Sequence, residues 1–129
     1  KDDVVVVLGA RNKEELEPLA RDFGSLGYPL YLATDDGSLG HHGLVTDVLA
    51  GLDLTTGHEI HCCGPRPMMA AVHLFCRKIG VDCYVSMETA MACGMGACLG
   101  CNVPRAGGGY LHVCSDGPVF KSSELLWNL

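Results

Sequence analysis

Apolar positions recur with two different periods before residue 87 and with neither after it. Val4-Val5-Val6-Val7-Leu8 is an unbroken, mostly β-branched run, the pattern of a strand buried on both faces of a parallel sheet. Asn12 then stands where it can N-cap a helix, with Glu15 three residues on as the second half of a capping-box pair. Leu16, Leu19, Ala20 and Phe23 give that helix an apolar stripe, although Pro18 should kink it or move its start. Residues 28–33 read as a second strand, and Leu44, Val45, Val48 and Leu49 as a short helix. Residues 59–63 form a third strand. Pro67 suits the first position of a helix whose apolar face is Met68, Ala71, Val72, Phe75 and Ile79. Residues 82–86 form a fourth strand. Alternation of strand and helix predicts an α/β fold with parallel strands. Beyond residue 87 the pattern predicts loops, a hairpin pairing 102–103 with 111–113, and a short helix near 123–127.

Composition narrows the possible partners. The 129 residues carry a formal net charge of −6, which disfavours nucleic acid. No apolar run approaches the roughly 20 residues of a membrane-spanning helix. The absence of a targeting signal and the eight cysteines fit a reducing cytoplasm. The chain opens Lys1-Asp2-Asp3 and runs straight into a strand, which reads as a piece of a longer polypeptide.

The chemistry is concentrated in Cys93, Cys98, Cys101 and Cys114. Their spacing, C-x4-C-x2-C followed by x12-C, is the plant-type pattern for a [2Fe–2S] cluster held by four thiolates. Such a loop must offer backbone N–H groups to a cluster of about two negative charges, and Gly94, Gly96 and Gly100 suit close backbone approach. The rival readings are a structural zinc site and a disulfide framework. Zinc sites favour two short Cys/His pairs, and only Cys98 and Cys101 form one. Cys62, Cys76 and Cys83 lie in apolar contexts and read as buried thiols.

In open α/β sheets, ligands bind beyond the carboxyl ends of the strands. Segments 9–11, 34–40 and 63–68 stand there. Arg11 can meet an adenosine ribose or phosphate, or be a solvated helix-start residue. Asp35 and Asp36 can bind ribose hydroxyls or merely shape their turn. Cys63, Gly64 and Pro65 leave room for a flat ring. No G-x-G-x-x-G phosphate loop follows a first strand.

Leu8-Gly9-Ala10-Arg11, Thr34-Asp35-Asp36-Gly37-Ser38, Cys63-Gly64-Pro65, the cluster run 91–101 and Cys114-Ser115-Asp116-Gly117-Pro118-Val119-Phe120 occur in that order. Together they resemble the electron-transfer subunits of type B dihydroorotate dehydrogenase, over nearly the whole chain. The resemblance implies a C-terminal fragment. Residues 1–86 would be the later part of a Rossmann-like, ferredoxin-reductase-type nicotinamide domain, and residues 87–129 a small [2Fe–2S] module. It also implies FAD and NAD in the full-length protein and an FMN-containing catalytic subunit in a heterotetramer. Cys63, Gly64 and Pro65 would lie near the nicotinamide, and the four cysteines would hold iron. Electrons would pass from dihydroorotate to NAD⁺, and the fragment alone would not be catalytically complete. The alternatives are a subunit serving a sulfide- or ferredoxin-linked oxidoreductase, and a zinc-stapled interaction module. Met87, Met91, Met95 and Leu99 flank the cysteines and either dock a partner or pack beneath the loop.

Overall fold

The computed structural model describes residues 4–127; Lys1-Asp2-Asp3, where the chain opens, and residues 128–129 lie outside the described residues. The fold is mixed α/β, and the chain divides into two compact units, Lys1–Asp53 and Leu54–Leu129. The change of periodicity near residue 87 falls inside the second unit.

In the first unit, β1 (Val6–Ala10), α1 (Lys13–Gly24), β2 (Leu30–Thr34), β3 (His41–His42) and α2 (Val45–Ala50) follow in order. The strands make a parallel sheet in the order β1-β2-β3. The ladder starts at Val6 opposite Leu30, not at Val4, and the Val6 N–H is taken by the Pro29 carbonyl. Val4 and Val5 stay about half exposed, at 48% and 46%, and Val6, Val7 and Leu8 are only partly covered. The doubly buried strand expected from the valine run is thus corrected: β1 forms the edge of this three-stranded sheet. Asn12 caps α1 as expected, its side-chain oxygen accepting the Glu15 N–H at 3.1 Å. Glu15 does not close the box on Asn12. It pairs with Arg11 instead, accepting from the Arg11 backbone N–H and from the guanidinium, because an opposite charge outbids a neutral amide. The helix runs through Pro18. The carbonyl that loses its donor belongs to exposed Glu14 in the first turn, where water can replace it. Leu16 is fully buried, whereas Leu19 remains 48% exposed.

The second unit contains β4 (Glu59–Cys63), α3 (Arg66–Ile79), β5 (Asp82–Ser86), β6 (Asn102–Pro104), β7 (Tyr110–His112), β8 (Val119–Lys121) and a 3₁₀ turn at Ser122–Glu124. β4 and β5 pair in parallel around α3. β8 returns antiparallel on β5, setting Phe120 opposite Val85. β6 and β7 form the expected hairpin, one residue earlier on its second arm. The buried residues of α3 are Met69, Ala70, Val72 and Cys76, so the stripe is rotated from the one centred on Met68, Ala71 and Phe75. The core joins Val72, Val85, Val103, Val113 and Phe120, each at most 4% exposed. It therefore draws on both the α/β portion and the cysteine-bearing portion of the sequence. The expected terminal helix is reduced to the 3₁₀ turn, with the Trp127 indole N–H donating to the Ser122 carbonyl at 2.8 Å.

Candidate iron–sulfur site

The loop after β5 leaves the sheet at Met87, whose N–H donates to the Pro118 carbonyl. It then carries three of the four cysteines before entering β6. Gly94 (φ 67°) and Gly96 (φ 81°) both adopt left-handed backbone. So does Leu99 (φ 57°), at a cost of about 1–2 kcal/mol for a residue with a Cβ. These reversals turn backbone N–H groups onto sulfur. Met95 and Cys98 donate to the Cys93 sulfur at 3.5 and 3.4 Å, and Gly100 donates to that of Cys98 at 3.4 Å. Across the hairpin, Cys101 and Cys114 place their sulfurs 3.1 Å apart, and the Cys114 N–H donates to the Cys101 sulfur at 3.4 Å.

Electrostatics follows from those donors. The Cys98 and Met95 backbone N–H groups, then the Cys98 thiol, bring Cys93 down to about 6 from an ordinary 9.0. Cys101 is lowered by the Cys114 N–H and thiol. Cys114 moves the other way. Its hydrogen bond to Cys101 raises it, followed by burial and by negative charge on Cys101 and Cys93. The backbone N–H groups thus favour the thiolate at Cys93 and Cys101, the ligand form that iron requires, while Cys114 is held toward its thiol.

The cysteines come as two pairs: Cys101 and Cys114 stand sulfur to sulfur, and the Cys98 N–H reaches the Cys93 sulfur. Among the described residues, no three His, Cys, Asp or Glu side chains gather where they could hold one metal ion. Two pairs are what a binuclear cluster uses, since each of its irons takes two protein ligands. A structural zinc site gathers four around one ion. The donor set and its N–H groups therefore fit an iron–sulfur cluster.

The other expected site residues divide between the two units. In the first, Arg11 and Asp35 stand beyond the carboxyl ends of β1 and β2, where the Asp35 N–H donates to the Ala10 carbonyl. Arg11 is engaged by Glu15, and Asp35 adds charge beside it. Asp36 shapes the turn: it accepts from the Ser38 N–H and hydroxyl, at 2.9 and 2.6 Å, and its carboxyl is lowered by those bonds. In the second unit, Cys63 ends β4, Gly64 and Pro65 follow it, and all three are exposed. Gly64 has φ 153°, which L side chains rarely adopt and which favours glycine; a Cβ there would also stand 2.6 Å from the Met68 methyl, the mobile end of its side chain. Cys76 and Cys83 are buried as expected, and Cys62 is half-buried with its thiol pushed up to about 12, chiefly by burial. Met87 is buried and packs; Met91, Met95 and Leu99 are exposed. Asp116, without an expected role, accepts the His112 N–H through its carboxylate. An acidic residue directly before Gly-Pro was the available turn signal.

Residues 88–126 match the family model described as the iron-sulfur cluster binding domain of dihydroorotate dehydrogenase B. The chain is 46% identical over 99 residues to the dihydroorotate dehydrogenase B (NAD(+)) electron transfer subunit of Clostridium acetobutylicum, covering 77% of this chain and 39% of that protein. It is 42% identical over 126 residues to the subunit of the same name from Geobacillus thermodenitrificans, covering 96% and 47%. The chain thus spans less than half the length of these curated relatives. A solved NADH-dependent reduced ferredoxin-NADP oxidoreductase, described in connection with flavin-based electron bifurcation, superposes with a TM-score of 0.79 at 33% identity, covering 97% of this chain and 45% of that one.

Proposed function

We infer, from likeness to dihydroorotate dehydrogenase B electron transfer subunits over most of this chain and from the match of residues 88–126 to their iron–sulfur cluster binding domain, a one-electron relay built on a [2Fe–2S] cluster. The observation that carries this reading is the pairing of four thiols, Cys93 with Cys98 and Cys101 with Cys114, under backbone N–H donors. Bound there, the cluster supplies a centre that accepts and releases one electron at a time. The chain's own part is to hold the four sulfurs in place and to meet the charge on Cys93, Cys98 and Cys101 with the N–H groups of Met95, Cys98, Gly100 and Cys114.

In the whole protein we place this relay between an FMN-containing catalytic subunit that oxidises dihydroorotate and an FAD that reduces NAD⁺, within a heterotetramer in the cytoplasm. A nicotinamide takes two electrons together, so a flavin must stand between it and the one-electron relay. Residues 87–129 serve as the cluster module and residues 1–86 as part of the nicotinamide domain. Cys63, Gly64 and Pro65, all exposed, then face the nicotinamide. Arg11 and Asp35 face the adenosine end, with Arg11 exchanging Glu15 for a phosphate or ribose oxygen.

The test is anaerobic reconstitution followed by iron and sulfide analysis with a visible spectrum. About two irons and two sulfides per chain are expected, with absorbance that bleaches on reduction. Cys98→Ser should lose or alter the spectrum; an unchanged one removes Cys98 from the ligand set. A second reading, service to a ferredoxin-linked oxidoreductase, is favoured by the 33% identity to the ferredoxin-NADP oxidoreductase. Orotate formation by the full-length subunit with its cognate catalytic subunit separates the two.

A further inference from the structure

The turn that carries Cys114 is closed twice. The Asp116 N–H donates to the His112 carbonyl at 2.7 Å, and the Asp116 carboxylate accepts the His112 N–H at 2.6 Å. These reciprocal bonds tie residues 112 and 116 into a ring with Cys114 at its midpoint, and the Ser115 N–H joins the His112 carbonyl at 3.2 Å. His112 lies opposite Asn102, the residue after Cys101. The neighbouring Val113 N–H donates to the Cys101 carbonyl at 2.9 Å. The clamp therefore starts at the point where the hairpin register also places Cys101. Residues following Asp116 anchor the far side. A Cβ on Gly117 would stand 2.5 Å from the Phe120 ring, so only a glycine lets that ring close against the turn. Phe120 is 4% exposed in the core, and the Pro118 carbonyl takes the Met87 N–H where the cysteine loop leaves the sheet.

We propose that Asp116 is a positioning residue for the ligand set: its carboxylate locks the 112–116 turn so that the Cys114 sulfur faces Cys101. The inference rests on the cluster reading for its purpose but on the turn geometry for its substance. Asp116 acts as a hydrogen-bond acceptor of fixed reach, so Asn, which keeps an oxygen in the same place, should substitute for it. Ala removes the acceptor, and Glu moves it by one methylene.

The experiment uses the full chain in two forms. In the apo protein, diamide takes two hydrogens from a thiol pair and leaves a disulfide, and peptide mapping after alkylation reads the rate of the Cys101–Cys114 link. In the anaerobically reconstituted protein, the visible spectrum and iron content are read. Wild type and Asp116→Asn should link at similar rates and load alike. Asp116→Ala should link roughly tenfold more slowly, the worth of one charge-assisted hydrogen bond, and load less iron with an altered spectrum. Protection of Cys76 from alkylation reports that the core is intact. If Asp116→Ala does not fold, Asp116→Glu takes its place with the same expected slowing. Linking by the acceptor-deficient variant at the wild-type rate overturns the proposal, as does Asp116→Asn behaving like Asp116→Ala. A wild-type chain that takes up no iron, yet whose linking still depends on Asp116, overturns the function reading and leaves the clamp standing.

Discussion

At the scale of single residues, the thiols separate by environment rather than by type. Cys93 accepts two backbone N–H groups and is brought down to about 6, whereas burial pushes Cys62 up to about 12. In the apo protein at pH 7.5, iodoacetamide is therefore expected to modify Cys93 well before Cys62. The Cys93 rate should rise with an apparent midpoint near 6, read by peptide mass against pH; a midpoint near 9 would sink the idea. The stability consequence has a definite sign. A thiol lowered in the folded state favours folding fully above its ordinary value of 9.0, and loses that contribution as pH falls toward about 6. The proposal that the four cysteines hold iron starts from their spacing. The Asp116 clamp was not legible in the sequence, because a carboxylate reaching four residues back is one of several bonds that an Asp before Gly-Pro can make, and only the folded turn selects it.

At the scale of elements, local signals placed strands and helices well and chose their faces less well. Asn12 capping α1, the spans of β4 and β5, and Gly80 ending α3 in left-handed backbone all follow from neighbouring residues. The start of β1 at Val6 and the rotated stripe of α3 do not. A ladder begins only where the partner strand offers a register, and a helix turns toward whatever neighbour fills its grooves. Leu16 shows what such a contact contributes. It is the fully buried anchor of α1, beside exposed Leu19. Leu16→Ala is expected to cost about 2–5 kcal/mol in chemical denaturation. Leu19→Ala should stay within about 0.5 kcal/mol. Equal losses would contradict the burial pattern.

At the scale of the molecule, the exposed apolar residues near the cysteines become the question. Met95 is 79% exposed, Leu99 56% and Met91 47%, while Met87 has gone into the core. Large flexible side chains left in water beside a redox site suit a partner surface. If they meet the catalytic subunit, Met95→Ser in the full-length subunit should weaken that complex by roughly tenfold, as truncation of one interface anchor does. Iron content should be unchanged. An unaltered affinity in a binding assay removes Met95 from the interface. No helix among the described residues is long and apolar enough to cross a membrane.

The division into two compact units at Asp53 and Leu54 had no counterpart in the sequence pattern. Periodicity changes near residue 87, yet β8 pairs with β5, and Phe120 and Val85 share one core, so chain segments on both sides of that change pack together. By itself the sequence determined the alternation of strand and helix and the cap of α1, since each depends on residues a few positions apart. Only the tertiary structure decided which sulfurs pair, which methionine is buried and what holds Cys114 in place. Those outcomes depend on contacts between distant segments, whose free energy appears only once the backbone has brought them together.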